Sequence, residues 1–379
     1  MDRQLAISRA KILTHLIGIA EVSGILDTFI NAFLHKSIKH EDGIYYLHGN
    51  FLLGGTKSGR MASARINLQN LPSSGTKYAV VIKQCFKAPP GYLLVGADFN
   101  SLEAKIGALL THDPERVKIF TQGYDAHSVN SYAYWPEKMP DIVNTVDSIN
   151  TIPDKYPDIR QESKAVSFAS QYGGTWVTFM DQCGFPIEEA KQLEANYQEL
   201  YSQSLQWTQK LLQQASIDGY VLCAFGLKLR TPLLAKVIMH SSKVPYAAEA
   251  EGRTANNATQ QSWGMLNNRS SIEFMDQVWN SEYALDILPI AHIHDAQYFI
   301  AKNTYGCIAW LNDKLIPTME WQDDPLIQHS VIKLGGELEV FYPTWAEKMK
   351  IPNQASRKTL SILVQKHRQK LADSPLPRG

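Results

Sequence analysis

The sequence predicts an α+β chain, on three observations. The apolar run Tyr92–Ala97 reads as a buried strand. Two further apolar segments flank His294-Asp295, the pattern of a tight hairpin with a polar tip. Between these, Arg160, Lys164, Phe168 and Tyr172 recur every fourth residue. On a helix a step of four turns the side chain by about 400°, so successive members of the set drift only about 40° and share one stripe.

The elements follow in order. Helical patterns run from Gln4 to Ile25 and from Leu26 to His35. Asp98 stands where the first strand ends, and a helical pattern starts near Ser101. An exposed carboxylate at a strand end can hold a hard divalent cation; the same residue type also serves as a helix cap. Trp135–Tyr156, rich in Pro, Asp and Asn, reads as a loop. Ile187–Gln214 carries the spacing of one packed surface helix. His294-Asp295, taken alone, also fits ordinary turn chemistry. Residues 351–379 form a helix-capable tail with six Lys or Arg against one Asp, which reads as a solvated face or as a contact for DNA or protein.

Composition narrows the classes. The 379 residues carry 37 basic and 37 acidic side chains, so any nucleic-acid surface must be a local basic patch balanced elsewhere. Cys85, Cys183, Cys223 and Cys307 lie far apart without metal-type spacing, which fits a reducing cytoplasmic setting and no structural zinc. No apolar run reaches transmembrane length and no signal-peptide pattern opens the chain, so no membrane partner is expected.

The stripe is chemically specific. Two cations, a large apolar ring and a phenol suit a ligand with phosphates at one end and a flat base at the other. A packed helix whose Arg160 and Lys164 snorkel would show the same residues. Joined to two strand-end aspartates, the stripe completes the inventory of two-metal phosphoryl transfer.

These residues carry a resemblance. Asp98-Phe-Asn-Ser-Leu-Glu103-Ala-Lys resembles the first carboxylate motif of the family A DNA polymerases. Arg160 to Gly173 is similar to that family's fingers-helix motif at every anchor. His294-Asp295 resembles its His-Asp-Glu motif at two of three positions. Gly59-Arg60-Met-Ala-Ser, Asn67-Leu-Gln69-Asn70-Leu-Pro72, Tyr124-Asp125-Ala-His127-Ser, the segment Gly219–Pro232, and the spacing of Arg253, Asn257 and Gln261 fall in the family's order. The match spans roughly Gly59 to Ala346.

The resemblance implies a right-hand architecture: residues 1–58 a partial thumb, 59–111 and 253–350 a split palm on an antiparallel sheet, 112–252 helical fingers, and 351–379 a basic tail. It implies DNA synthesis from dNTPs on primer–template DNA, with two Mg²⁺ ions on Asp98, Asp295 and the Phe99 carbonyl. Arg160 and His127 would contact outer phosphates, and Lys164 the α-phosphate with a part in proton transfer. Phe168 would pack on the sugar, and Tyr172 near the nascent pair. Glu103 would exclude a ribose 2′-hydroxyl. Arg60, Asn67, Gln69, Asn70, Arg253, Asn257, Gln261 and His294 would touch primer–template, largely through the nearly sequence-independent minor groove.

The chain departs from the pattern at Ala296, where the family has an acid; Lys105 and Ser262 are smaller departures. Single-subunit RNA polymerases also lack that acid, whereas Glu103 argues for deoxynucleotides; a non-catalytic DNA-binding relative is the third reading. Only 58 residues precede Gly59. That length leads us to expect a second polypeptide supplying thumb and 3′–5′ exonuclease, as in a split phage replicase.

Overall fold

The computed structural model describes residues 3–72, 76–171, 173–237 and 245–372. Strand β1 (Tyr92–Phe99) runs two residues beyond the apolar run, so that Asp98 lies within its last turn of pleat. It is the middle strand of a five-stranded antiparallel sheet with β2 (Ile287–Ile293), β3 (Ala296–Lys302), β4 (Gly336–Phe341) and β5 (Lys348–Ile351), in the order β5-β4-β1-β3-β2. Alternation divides the two faces. Val95, Ala97 and Phe99 of β1, Phe299 and Ala301 of β3, and Leu338 and Val340 of β4 are buried on one of them. There the helices Met265–Trp279 and Tyr305–Met319 cover the sheet, with Phe274 edge-on to Phe299 at 5.2 Å. Gly96, Asp98, Tyr298, Glu337 and Glu339 take the other face.

The N-terminal helix α1 (Arg3–Ile25) continues through a π turn at Leu26–Ile30 into Asn31–Lys36. The expectation about membrane-length runs is corrected here: Ile7–Lys36 is long and apolar enough to cross a membrane by length and composition. Arg9, Lys11, His15 and Glu21 interrupt the run and hide it from a search for unbroken apolar sequence. Ile12, Leu13, Leu16, Ile17 and Ile19 are exposed. Its far end is anchored by buried Phe29, by Phe33 against Phe86 at 5.2 Å, and by a Lys77–Glu21 ion pair. Two short hairpins, Ile38–Lys39 with Tyr45–Tyr46 and Asn50–Leu52 with Ala62–Ala64, follow.

The middle of the chain is helical, and three expectations change. Trp135–Tyr156 is not an irregular loop: it holds the short helices Val146–Ile149 and Ile152–Lys155. Met139, Ile142, Ile149 and Ile152 are buried together with Ile119 and Val129. Its prolines start turns and its apolar side chains are spaced to converge, which composition alone does not reveal. Ile187–Gln214 is two helices, Ile187–Leu200 and Ser202–Asp218, broken at Tyr201. That ring is buried, hydrogen-bonds Asn130 and lies 4.4 Å under the Arg116 guanidinium. The C-terminal tail is not a free solvated segment up to residue 372. Arg357–Ala372 docks on Tyr305–Met319 through buried Leu360, and His367 contacts the Tyr342 carbonyl. Asp373 and Arg378 lie outside the described residues.

Candidate active site

β1 and β3 bring the two aspartates together. Asp98 is registered opposite Ala296, and the Phe99 N–H faces the Asp295 carbonyl at 3.4 Å. Phe99 is buried in the core, so its backbone alone can face the cleft. The β2–β3 hairpin turns on His294, which takes a left-handed φ of 55°. Asn267 clamps the tip, donating to the carbonyls of His294 (3.4 Å) and Ala296 (3.2 Å). Asp98 opens onto a cleft of about 490 Å³ that Asp295, His294, Glu339, Lys83 and Lys348 also line. Protein packed around it, then the nearby charges of Asp295 and Glu339, push the Asp98 carboxyl up to about 6.

Arg60 reaches Asp295 Oδ1 at 3.2 Å, with both side chains about three-quarters covered. Gly264 makes that approach possible, since a Cβ there would stand 2.5 Å from the Arg60 Nε. Asn67 caps a short 3₁₀ turn at Leu68–Asn70 by accepting from the Gln69 N–H, and Gln69 donates to the His292 carbonyl at 3.2 Å. Arg60, Gln69 and His294 therefore gather at the hairpin, while Asn70 is exposed on the same turn. Glu103 sits half-buried in the first turn of the helix Leu102–Thr111, four residues beyond Phe99.

A second group stands on helices α2 (Ala126–Tyr134) and α3 (Pro157–Gln171). Small hydroxyls knit them: Ser131 to Ser163 at 3.0 Å, Ser163 to the His127 carbonyl at 3.1 Å, and Asn130 to Ser167 at 2.8 Å. Along α3, Arg160 donates from Nε and Nη2 to the two Asp125 oxygens, both at 2.9 Å. Lys164 is half-buried and donates to Gln161 at 3.2 Å, and Phe168 is 52% exposed, 5.9 Å from the His127 ring. A large ring left open on a helix that has its own core face fits a ligand surface. The His127 Nδ1 is buried without a partner among the described residues; burial, then the Arg160 and Lys164 charges, lower its pKa. A buried, unpaired imidazole nitrogen beside two cations fits an anionic ligand. Tyr172, the last member of the stripe, lies outside the described residues.

Arg253, Asn257 and Gln261 fall on one face of α4 (Tyr246–Gln261). The Arg253 stem packs where a Cβ on Gly173 would be 2.9 Å from its Cδ, so the left-handed Gly173 (φ 80°) joins the end of α3 to α4. Arg253 and Asn257 line a cavity of about 410 Å³ with Gln171, Arg116 and Glu249. Ser262, the departure noted above, is buried and accepts from the Ala224 N–H at 2.9 Å.

The family model for DNA polymerase family A matches residues 3–322. The chain belongs to that family. It is 29% identical over 215 residues to the thermostable DNA polymerase I of Thermus aquaticus, covering 57% of this chain and 23% of that protein. It is 28% identical over 249 residues to DNA polymerase I of Pseudomonas aeruginosa, covering 66% and 25%. It is 28% identical over 173 residues to the DNA polymerase of Mycobacterium phage D29, covering 46% and 26%. The chain thus spans about a quarter of the length of the curated relatives it matches. Its fold is similar, at a TM-score of 0.70 and 22% identity, to the POL domain of Pol1 from M. smegmatis solved with DNA primer-template and dNTP, over 88% of this chain and 53% of that one. The right-hand polymerase architecture is therefore the fold of this chain.

Within this family A chain, sequence reasoning gave no role to four residues that shape the site. Asp125 was legible only as part of the segment around His127. Asn267 sits in a helix with no pattern pointing to the hairpin. Glu339 and Lys348 pair at 2.8 Å beside Asp98. Their signal is the alternation of Glu337 with Glu339 and of Lys348 with Lys350 on facing strands.

Proposed function

We propose that this chain catalyses template-directed addition of dNTPs to a primer 3′-hydroxyl, with Mg²⁺ as cofactor. The observation that carries the reading is the meeting of Asp98 and Asp295 at one end of the central strands. Asp98, held near 6 by burial first and then by the Asp295 and Glu339 charges, fits with Asp295 a site for divalent cations, and a guanidinium already faces one of the pair. Among the described residues no third His, Cys, Asp or Glu completes a larger cluster, so the pair would do the holding, aided by the Phe99 carbonyl. Bound there, two Mg²⁺ ions would supply acidity to the 3′-hydroxyl and neutralise charge on the triphosphate.

The chain's own side chains would do the rest. Arg160 and His127 would grip the outer phosphates, and Lys164 would reach the α-phosphate and the proton of the leaving group. Phe168 would bear on the sugar and Tyr172 on the base pair. Arg60, Asn67, Gln69, Asn70, His294, Arg253, Asn257 and Gln261 would hold primer–template. The domain division given above belongs to the same proposal, as does a cytoplasmic setting, in keeping with four free thiols. Asp98→Ala and Asp295→Ala should each abolish primer extension while leaving primer–template binding within about threefold, read by gel shift. Loss of binding together with extension, or survival of extension, overturns the reading.

A second polypeptide bearing thumb and 3′–5′ exonuclease is also proposed, as in a split phage replicase. Its support is α1, whose large apolar side chains Ile12, Leu13, Leu16, Ile17 and Ile19 stand exposed, a surface that another element would cover. Native isolation followed by mass measurement tests it. Fully processive synthesis by the chain alone would exclude it.

A further inference from the structure

We propose that Asn150, in the 135–156 segment, is a positioning residue for Arg160 and acts through Asp125. The inference rests on the reading of Arg160 as a phosphate contact and adds what holds it in place.

Arg160 is not fixed by its own helix. Its guanidinium is oriented by Asp125, on a different element, through two parallel hydrogen bonds of 2.9 Å. Such a fork fixes the plane of the guanidinium as well as its position. Asp125 takes the Nε and Nη2 edge, which leaves the Nη1 hydrogens uncommitted to it and able to meet phosphate oxygens. The placement of Arg160 is therefore only as definite as that of Asp125.

Asp125 is held on both sides. Toward α2 it is the N-cap, accepting from the Ser128 N–H at 2.8 Å and from the Ser128 hydroxyl at 2.6 Å. Behind it the chain arrives through Gly123 in a left-handed conformation. There Asn150 makes both of its amide contacts. Its Oδ1 accepts from the Asp125 N–H at 2.8 Å, and its Nδ2 donates to the Gly123 carbonyl at 2.9 Å. Asn150 is itself carried by the Val146–Ile149 helix, on the core of Met139, Ile142, Ile149 and Ile152. Tyr124 and Ile159, the neighbours of Asp125 and Arg160 in sequence, pack against the same core. The segment thus supports both partners of the ion pair, and Asn150 is the polar contact that reaches the loop.

The test is a double-mutant cycle on the full chain, reading the Kd of inorganic triphosphate and of Mg²⁺·dATP by calorimetry without DNA. Asn150→Ala should weaken both roughly three- to tenfold, the size of one or two lost hydrogen bonds. In an Arg160→Ala background the same change should cost less than about 1.5-fold. Asp125→Asn keeps a side-chain cap for Ser128 and removes the charged partner of Arg160, so its loss should likewise vanish in that background. This second variant serves if Asn150→Ala lowers the melting temperature. Equal losses with and without Arg160, or no loss in the wild-type background, overturn the positioning role. If Arg160→Ala alone leaves triphosphate binding unchanged, the phosphate role itself falls, and the positioning proposal with it.

Discussion

At the scale of single residues, charge crowding explains what stands at position 296. Its side chain shares a face with Asp98 and lies directly across from it. Asp98 is already pushed up to about 6 by its surroundings and by Asp295 and Glu339. A further acid at 296 would raise it again, and Ala296 adds no such charge. We propose Glu103 as the group that would exclude a ribose 2′-hydroxyl. Glu103→Ala should raise ribonucleotide incorporation at least about tenfold relative to deoxynucleotide, measured as a ratio of kcat/KM, without lowering deoxynucleotide use to the same degree. An unchanged ratio would remove Glu103 from that role.

Asp125 gives a pH prediction with a definite sign. Burial alone would raise its carboxyl, but hydrogen bonds from Arg160 and Ser128 outweigh that and hold it well below its ordinary 3.8. A depressed folded-state pKa contributes stability that is fully present above the unfolded value and is lost as pH falls through the folded one. Wild type should therefore be more stable than Asp125→Asn at neutral pH, with the gap closing below about pH 4, in urea melts across that range. A gap constant down to pH 2 would mean that the ion pair contributes little.

At the scale of elements, the 135–156 segment is the clearest case of packing that composition conceals. Ile152 is fully buried within it. Ile152→Ala should cost about 2–5 kcal/mol of unfolding free energy, against the few tenths usual for an exposed loop. What was legible in the sequence was local. The β1 strand and its terminal Asp98, the hairpin around Asp295 and the stripe on α3 each declare themselves within about 15 residues, through alternation or four-residue spacing. What was not legible was contact at a distance. Arg60 meets Asp295 across 235 positions, and Arg160 meets Asp125 across 35. The break at Tyr201 escaped because helical spacing runs through it, and only the Arg116 guanidinium and Asn130 reveal why the ring turns inward.

At the scale of the whole molecule, zero formal charge bears on how the proposed DNA partner would be held. Basic side chains meet the cleft locally, at Lys83, Lys348 and Arg60. Affinity resting on a few phosphate contacts should fall steeply with salt, its logarithm declining with a slope of about −0.9 per neutralised phosphate. A filter-binding series from low to physiological salt checks this; a flat response would place the grip in base contacts or apolar surfaces.

One void matters more than its size suggests. Hydrogen alone on the α-carbon of residue 264 leaves the Arg60 stem a channel to the hairpin. In a library randomised at position 264 and selected for copying, survivors should keep glycine. A methyl group there would evict the arginine long before it disturbed the fold.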